Sequence, residues 1–185
     1  MNNIQQLTEK QLNVALYSTQ LLLLVLSFAL AFLLDISLLT IMENSSISIG
    51  MVWASISVGL VIVVVDIIGM IRYPTIYDDG GINQTLFATK SYLHIFVLTL
   101  FIAISEELFF RGVLQSYFGL IPVSIFFALI HFRYLKNWYL VLNVLIVSFL
   151  LGYSYELTES LFVPITIHFV IDFLLACWIR LKGRK

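Results

Sequence analysis

Residues 92–118 read YLHIFVLTLFIAISEELFFRGVLQSYF. From Tyr92 to Ile104 the run is almost wholly apolar; it then meets Glu106, Glu107 and Arg111 before continuing to Phe118. A helix crossing about 30 Å of hydrocarbon needs roughly 20 apolar residues at about 1.5 Å each. This stretch has the length, and it carries charges where lipid cannot solvate them.

Similar runs lie on either side. Leu12 to Leu34 is bounded by Lys10 and Asp35, and Ile47 to Ile71 by Glu43 and Arg72. Between Arg72 and Lys90 lie Pro74, Asp78, Asp79, Gly80 and Gly81, which read as a loop. Gly119 and Pro122 separate the quoted run from a fourth, Ile121 to Phe132; a fifth runs from Trp138 to Tyr155 and a sixth from Leu161 to Leu181. The pattern predicts an all-α polytopic transmembrane bundle of about six spans. Residues 1–91 hold two spans and a polar loop, and residues 92–185 hold a helical core. Ala29-Leu30-Ala31 resembles a signal-peptidase tripeptide, but the apolar run continues past it to Leu34. That run exceeds a signal core of about 7–15 residues, so an uncleaved helix is expected.

Composition agrees. Of the 185 residues 61% are hydrophobic and 11% charged, with a mean hydropathy of +1.00. Soluble domains carry about 25% charged residues. The chain is therefore not a soluble enzyme, a disulfide scaffold, a nucleic-acid binder or a disordered protein. Cys177 is the only cysteine and sits in an apolar run, as a small core residue does. Of the ten basic residues, Lys10, Arg72, Lys90, Arg133, Lys136, Arg180, Lys182, Arg184 and Lys185 fall on one side of a six-span topology; Arg111 lies within a span. Positive residues collect on the cytoplasmic side, which predicts a multi-pass protein of the cell membrane with both termini in the cytoplasm.

Ionisable groups inside spans mark function or a buried pair. Here they are Asp66, Glu106, Glu107, Arg111, His131, His168 and Asp172. On an α-helix Glu107 and Arg111, four apart, share a face and can pair. Glu106 points about 140° away from Arg111. A carboxylate left without a cation in an apolar interior becomes more basic, as a general base must be. His131 follows Phe127, and Asp172 follows His168, at the same spacing of four. Spans three, four and six can thus bring Glu106, His131 and His168 to one pocket, to polarise water directly or through a divalent metal. Two His and one Glu suffice for zinc, although the compact His-Glu-x-x-His helix of zinc proteases is missing. The same groups also serve to join helices by hydrogen bonds.

Asp66, isolated near the end of span two, reads as structural or snorkelling. Asn143 is a candidate for the pocket but reads first as an interhelical hydrogen bond. His94 lies about 18 Å of helix from Glu106 and reads as interfacial. Counted from the flanking basic residues, Glu106 and His168 sit near mid-membrane. His131, close to Lys136, sits shallower unless its span is tilted or extended.

Glu106-Glu107-x-x-x-Arg111, Phe127-x-x-x-His131 and His168-x-x-x-Asp172 resemble the three motifs of the CPBP family. That family comprises CAAX-processing type II prenyl endopeptidases and bacteriocin-processing or immunity proteins, and is also called Abi. The resemblance covers about Leu93 to Leu181. It implies an intramembrane endopeptidase acting on a membrane-associated peptide or protein. By it, Glu106 and His131 activate water, His168 and the residue at Asp172 stabilise the oxyanion, and Arg111 holds Glu107. The family has been described both as metalloproteases and as glutamate proteases without an obligatory metal. Its last motif position is often Asn; Asp172 can donate a hydrogen bond only when protonated, and so orients His168 or ligates a metal instead. Two other functions fit the residues: a non-catalytic protein for bacteriocin self-immunity or a helper subunit of a transporter or sensor, and a proton- or ion-coupled transporter. The lack of an inverted repeat argues against the last.

Overall fold

The computed structural model describes residues 8–43, 47–134 and 137–183. The chain forms helices α1 (Glu9–Leu33), α2 (Leu38–Glu43), α3 (Ile49–Arg72), α4 (Ile82–Phe87), α5 (Tyr92–Phe118), α6 (Leu120–Ile130), α7 (Trp138–Thr158) and α8 (Phe162–Lys182). Among the described residues five of these, α1, α3, α5, α7 and α8, have the length and hydropathy to cross a membrane. Their starts follow local chemistry. The side chains of Thr8, Ser48, Ser91 and Asn137 accept hydrogen bonds from the first free N–H groups of α1, α3, α5 and α7.

The fourth predicted span is shorter than expected. α6 has 11 residues, about 16 Å of helix, against the roughly 30 Å of a hydrocarbon core. It starts after Gly119, whose φ of +84° only glycine adopts readily, and carries Pro122 in its first turn. It ends at Ile130, because His131 leaves the helical region at φ −78°, ψ 46°. A 3₁₀ turn, Phe132–Tyr134, follows. Asn137 then caps α7 and donates from Nδ2 to the carbonyls of Ile76 (2.8 Å) and Asp78 (3.3 Å). The short helix thus leaves His131 at its inner end, and the chain after it reaches the loop that follows α3. That answers the depth mismatch: His131 ends a half-length helix rather than sitting inside a full one.

The outside of the bundle is apolar, and polar side chains are buried inside it among apolar ones. α1 exposes Leu21, Val25, Phe28 and Phe32 and buries Gln20 and Ser27; α3 exposes Val61, Val65 and Ile68 and buries Ser55 and Asp66. In water this pattern would aggregate; in lipid it satisfies both surfaces. Lipid removes most of the hydrophobic drive for helix association, so close packing takes its place. Gly59 of α3 lies against α8, where an added Cβ would stand 2.8 Å from Val170 Cγ1, 2.9 Å from its Cβ and 3.2 Å from the Ile167 carbonyl oxygen. None of these is a flexible side-chain tip. Gly59→Ala is therefore expected to lower stability by about 1–3 kcal/mol, read as a lower Tm of the purified protein. An unchanged Tm would mean that the α3–α8 contact is looser than the geometry shows.

The basic residues gather at one end. Glu9 at the start of α1 pairs with Lys90 just before α5 at 3.2 Å. Gly183, beyond α8, lies against Gln84 and Ala88. Lys10, Arg72, Arg180 and Lys182 stand in the helix turns that meet at this end. Lys136, Arg184 and Lys185 lie outside the described residues, as does the side chain of Arg133.

Candidate active site

Three elements supply the charged groups. α5 is α-helical to Glu107 and then opens into a π-helical stretch, Leu108–Gln115. Such wide turns occur often at functional sites. The two adjacent glutamates sit at this junction and face different surroundings.

Glu107 is fully buried. Its Oε2 lies 3.1 Å from Arg111 Nε, the pair expected from the spacing of four, and its Oε1 lies 2.8 Å from His168 Nδ1. Arg111, also buried, donates from Nη2 to the carbonyl and the hydroxyl of Ser148 on α7, both at 3.0 Å. Its guanidinium lies 4.8 Å from the centre of the Phe127 ring, a cation–π contact. One carboxylate thus locks α5, α7 and α8 around a single cation, and Phe127 of α6 closes the cluster.

Glu106 has a neutral partner instead. Gln20 of α1 donates from Nε2 to Glu106 Oε1 at 3.0 Å, and Ser105 Oγ donates to Gln20 Oε1 at 2.5 Å. An ionised carboxylate only accepts, so the NH₂ end of the amide faces Glu106. Gln20 was not singled out from the sequence, since span one looks uniformly lipid-facing; the visible signal is a lone amide amid leucines. Gln20→Leu removes the hydrogen bond to Glu106 and is expected to lower stability by about 1–3 kcal/mol, read as a lower Tm of the purified protein; a Tm equal to that of the wild type would mean that the bond contributes nothing.

His131 Nδ1 lies 2.7 Å from the Phe127 carbonyl oxygen. A carbonyl only accepts, so Nδ1 carries the proton and Nε2 is the basic nitrogen. His168 Nε2 lies 3.4 Å from Asp172 Oδ2, so each of its ring nitrogens faces a carboxylate. Glu106, His131, His168 and Asp172 line one cavity of about 470 Å³. Glu107 and Arg111 stand behind its wall. The cavity runs toward the basic end between aliphatic side chains such as Leu16, Leu86, Ile102 and Leu175.

Zinc fits this donor set poorly. Among the described residues no three His, Cys, Asp or Glu side chains come together as ligands. His131 could bind only through Nε2, since Nδ1 holds a carbonyl, and His168 would have to release Glu107 or Asp172.

The expectations for the other polar residues hold in part. Asn143 donates to Asp66 Oδ1 at 3.1 Å, as an interhelical bond should. Asp66 is only 5% exposed and does not snorkel to an interface. His94 meets Tyr17 of α1 at 2.8 Å and does not line the cavity.

Fold and site together define a polytopic helical membrane protein with a polar Glu/His centre enclosed in its bundle. Residues 88–174 match the family model of the type II CAAX prenyl endopeptidase Rce1-like proteins. The chain is 48% identical over 132 residues to uncharacterized protein YpbD of Bacillus subtilis (strain 168), covering 71% of this chain and 70% of that protein. The chain belongs to the Rce1-like family. No solved structure matches it.

Proposed function

We propose that the chain is an intramembrane endopeptidase that hydrolyses a peptide bond of a membrane-associated peptide or protein with water activated by Glu106 and His131. The observation that carries this reading is the division of labour between adjacent glutamates. Glu107 pairs directly with Arg111 and His168, whereas Glu106 faces the cavity and, among the described residues, its side chain accepts a hydrogen bond only from the Gln20 amide.

Glu106 takes a proton from the water, and His131 Nε2 accepts its second hydrogen bond and aims the oxygen at the scissile carbonyl. The carbonyl becomes a tetrahedral oxyanion, which His168 stabilises as its Nε2 N–H turns from Asp172, 3.4 Å away, to the new oxygen while Nδ1 stays on Glu107. As the C–N bond breaks, Glu106 returns its proton to the leaving amine. Asp172 orients His168 in this scheme, because an ionised carboxylate has no proton to give an oxyanion. The buried aliphatic walls exclude bulk water and strengthen each of these electrostatic contacts. No metal takes part in any of these steps.

The gathering of basic residues at one end supports a cytoplasmic orientation of that end and of both termini. The cavity runs toward that end, so a substrate anchored in the inner leaflet reaches the site from there. The test uses the purified protein in lipid nanodiscs with a panel of lipidated and unlipidated fluorogenic peptides, cut sites being read by mass spectrometry. Cleavage that proceeds equally with Glu106→Gln would remove the basis of the proposal.

A further inference from the structure

The cavity has a second polar pole, which the reaction above does not use. Asp66 of α3 lines it together with Tyr77 and Asn143. Its Oδ1 accepts from Asn143 at 3.1 Å and from Tyr77 at 3.3 Å, and Tyr77 in turn meets the Tyr139 hydroxyl. Among the described residues Oδ2 takes no hydrogen bond and no cation pairs with Asp66. Keeping a carboxylate buried among neutral groups is costly unless a countercharge arrives.

The whole cavity shares this bias. Asp66, Asp79, Glu106 and Asp172 line it, and among the described residues no lysine or arginine does. Two of the four carboxylates are engaged elsewhere: Asp79 caps the N–H groups of Gly81 and Asn83, and Asp172 faces His168. Asp66 and Glu106 have neutral hydrogen-bond partners, and of these two Asp66 is the one that the reaction does not use. The Tyr77 ring, which lines the cavity, stands beside it and packs on the Tyr139 ring with centroids 4.8 Å apart, and aromatic faces attract cations.

We propose that Asp66, with Tyr77, is a binding subsite for the ammonium or guanidinium of a basic side chain in the substrate. The word substrate rests on the peptidase reading; the subsite itself does not. Its position bounds where that side chain lies. Asp66 is six residues from Arg72, about 9 Å of helix, and His168 is twelve from Arg180, about 18 Å. The subsite is therefore about 9 Å nearer the basic end than the reacting centre. At about 3.3 Å per extended residue, the basic side chain belongs within about three residues of the scissile bond.

The test measures binding, not turnover. Palmitoylated, fluorescein-labelled peptides carry one lysine, or norleucine as its neutral counterpart, at successive positions, and are titrated against the protein in nanodiscs. At one position lysine is expected to bind about tenfold tighter than norleucine. Asp66→Asn should bring that ratio to about one and leave norleucine affinity unchanged. Equal lysine preference in wild type and Asp66→Asn, or no preference at any position, overturns the subsite. Should Asp66→Asn fail to fold, Tyr77→Leu reports the same pole and should lower the ratio about threefold; an unmoved ratio counts against the subsite. A preference lost with Asp66→Asn while no peptide is cleaved would sustain the subsite and sink the peptidase; cleavage with a flat ratio would do the reverse.

Discussion

Glu107→Leu is expected to destabilise the bundle by about 3–5 kcal/mol, or to prevent its folding. The carboxylate has no contact with solvent and two partners on different elements. Its removal strands the Arg111 guanidinium at 1% exposure, with only the Ser148 oxygens and aromatic faces left to solvate it. It also releases His168, which then holds Asp172 alone. The size of the effect comes from the uncompensated cation and much less from the bond lost. A double change, Glu107→Leu with Arg111→Met, should therefore recover part of the stability, since apolar replacement of a buried ion pair is often close to neutral. Thermal unfolding of the three purified proteins in one detergent or lipid checks this order. If the double variant is worse than Glu107→Leu, or the single variant melts like wild type, the cluster is not the lock described above.

Glu106→Gln is expected to behave in the opposite way. Its amide oxygen can still accept from Gln20, so Tm should hardly move. It cannot take a proton from water, so peptide cleavage should fall by about 10²–10⁴-fold, the range for loss of a general base. His131→Ala should lose a comparable factor, since a water held by one group is poorly aligned. Because the two residues act on one water, the double variant should be no worse than either single one. A cluster that only joins helices predicts near-normal rates for Glu106→Gln, so its kcat/KM decides between catalysis and packing.

How much of this could be read beforehand depends on the range of the contacts. The five long helices follow from apolar runs, which hydropathy reports directly. The half-length α6 does not, because Ile121 to Phe132 is apolar enough for a span, and only the backbone at Gly119 and His131 shows where the helix starts and stops. Asp66 looked like an isolated structural charge because its partners Tyr77 and Asn143 come from a loop and from α7. Gln20 left no trace beyond its polarity, being 86 positions from the glutamate it holds.

The order of residues along the chain determined the membrane-spanning class and the Glu107–Arg111 pair, because hydropathy and a spacing of four are local properties that survive any packing of the helices. Only tertiary structure decided that His168, 61 positions away, joins Arg111 on Glu107, that Gln20 stands on Glu106, and that Asp66 shares a cavity with His131 and His168. These contacts depend on how α1, α3 and α8 lie against α5. In lipid that is set by close packing and by the need to bury polar groups against one another, neither of which is written in any single helix.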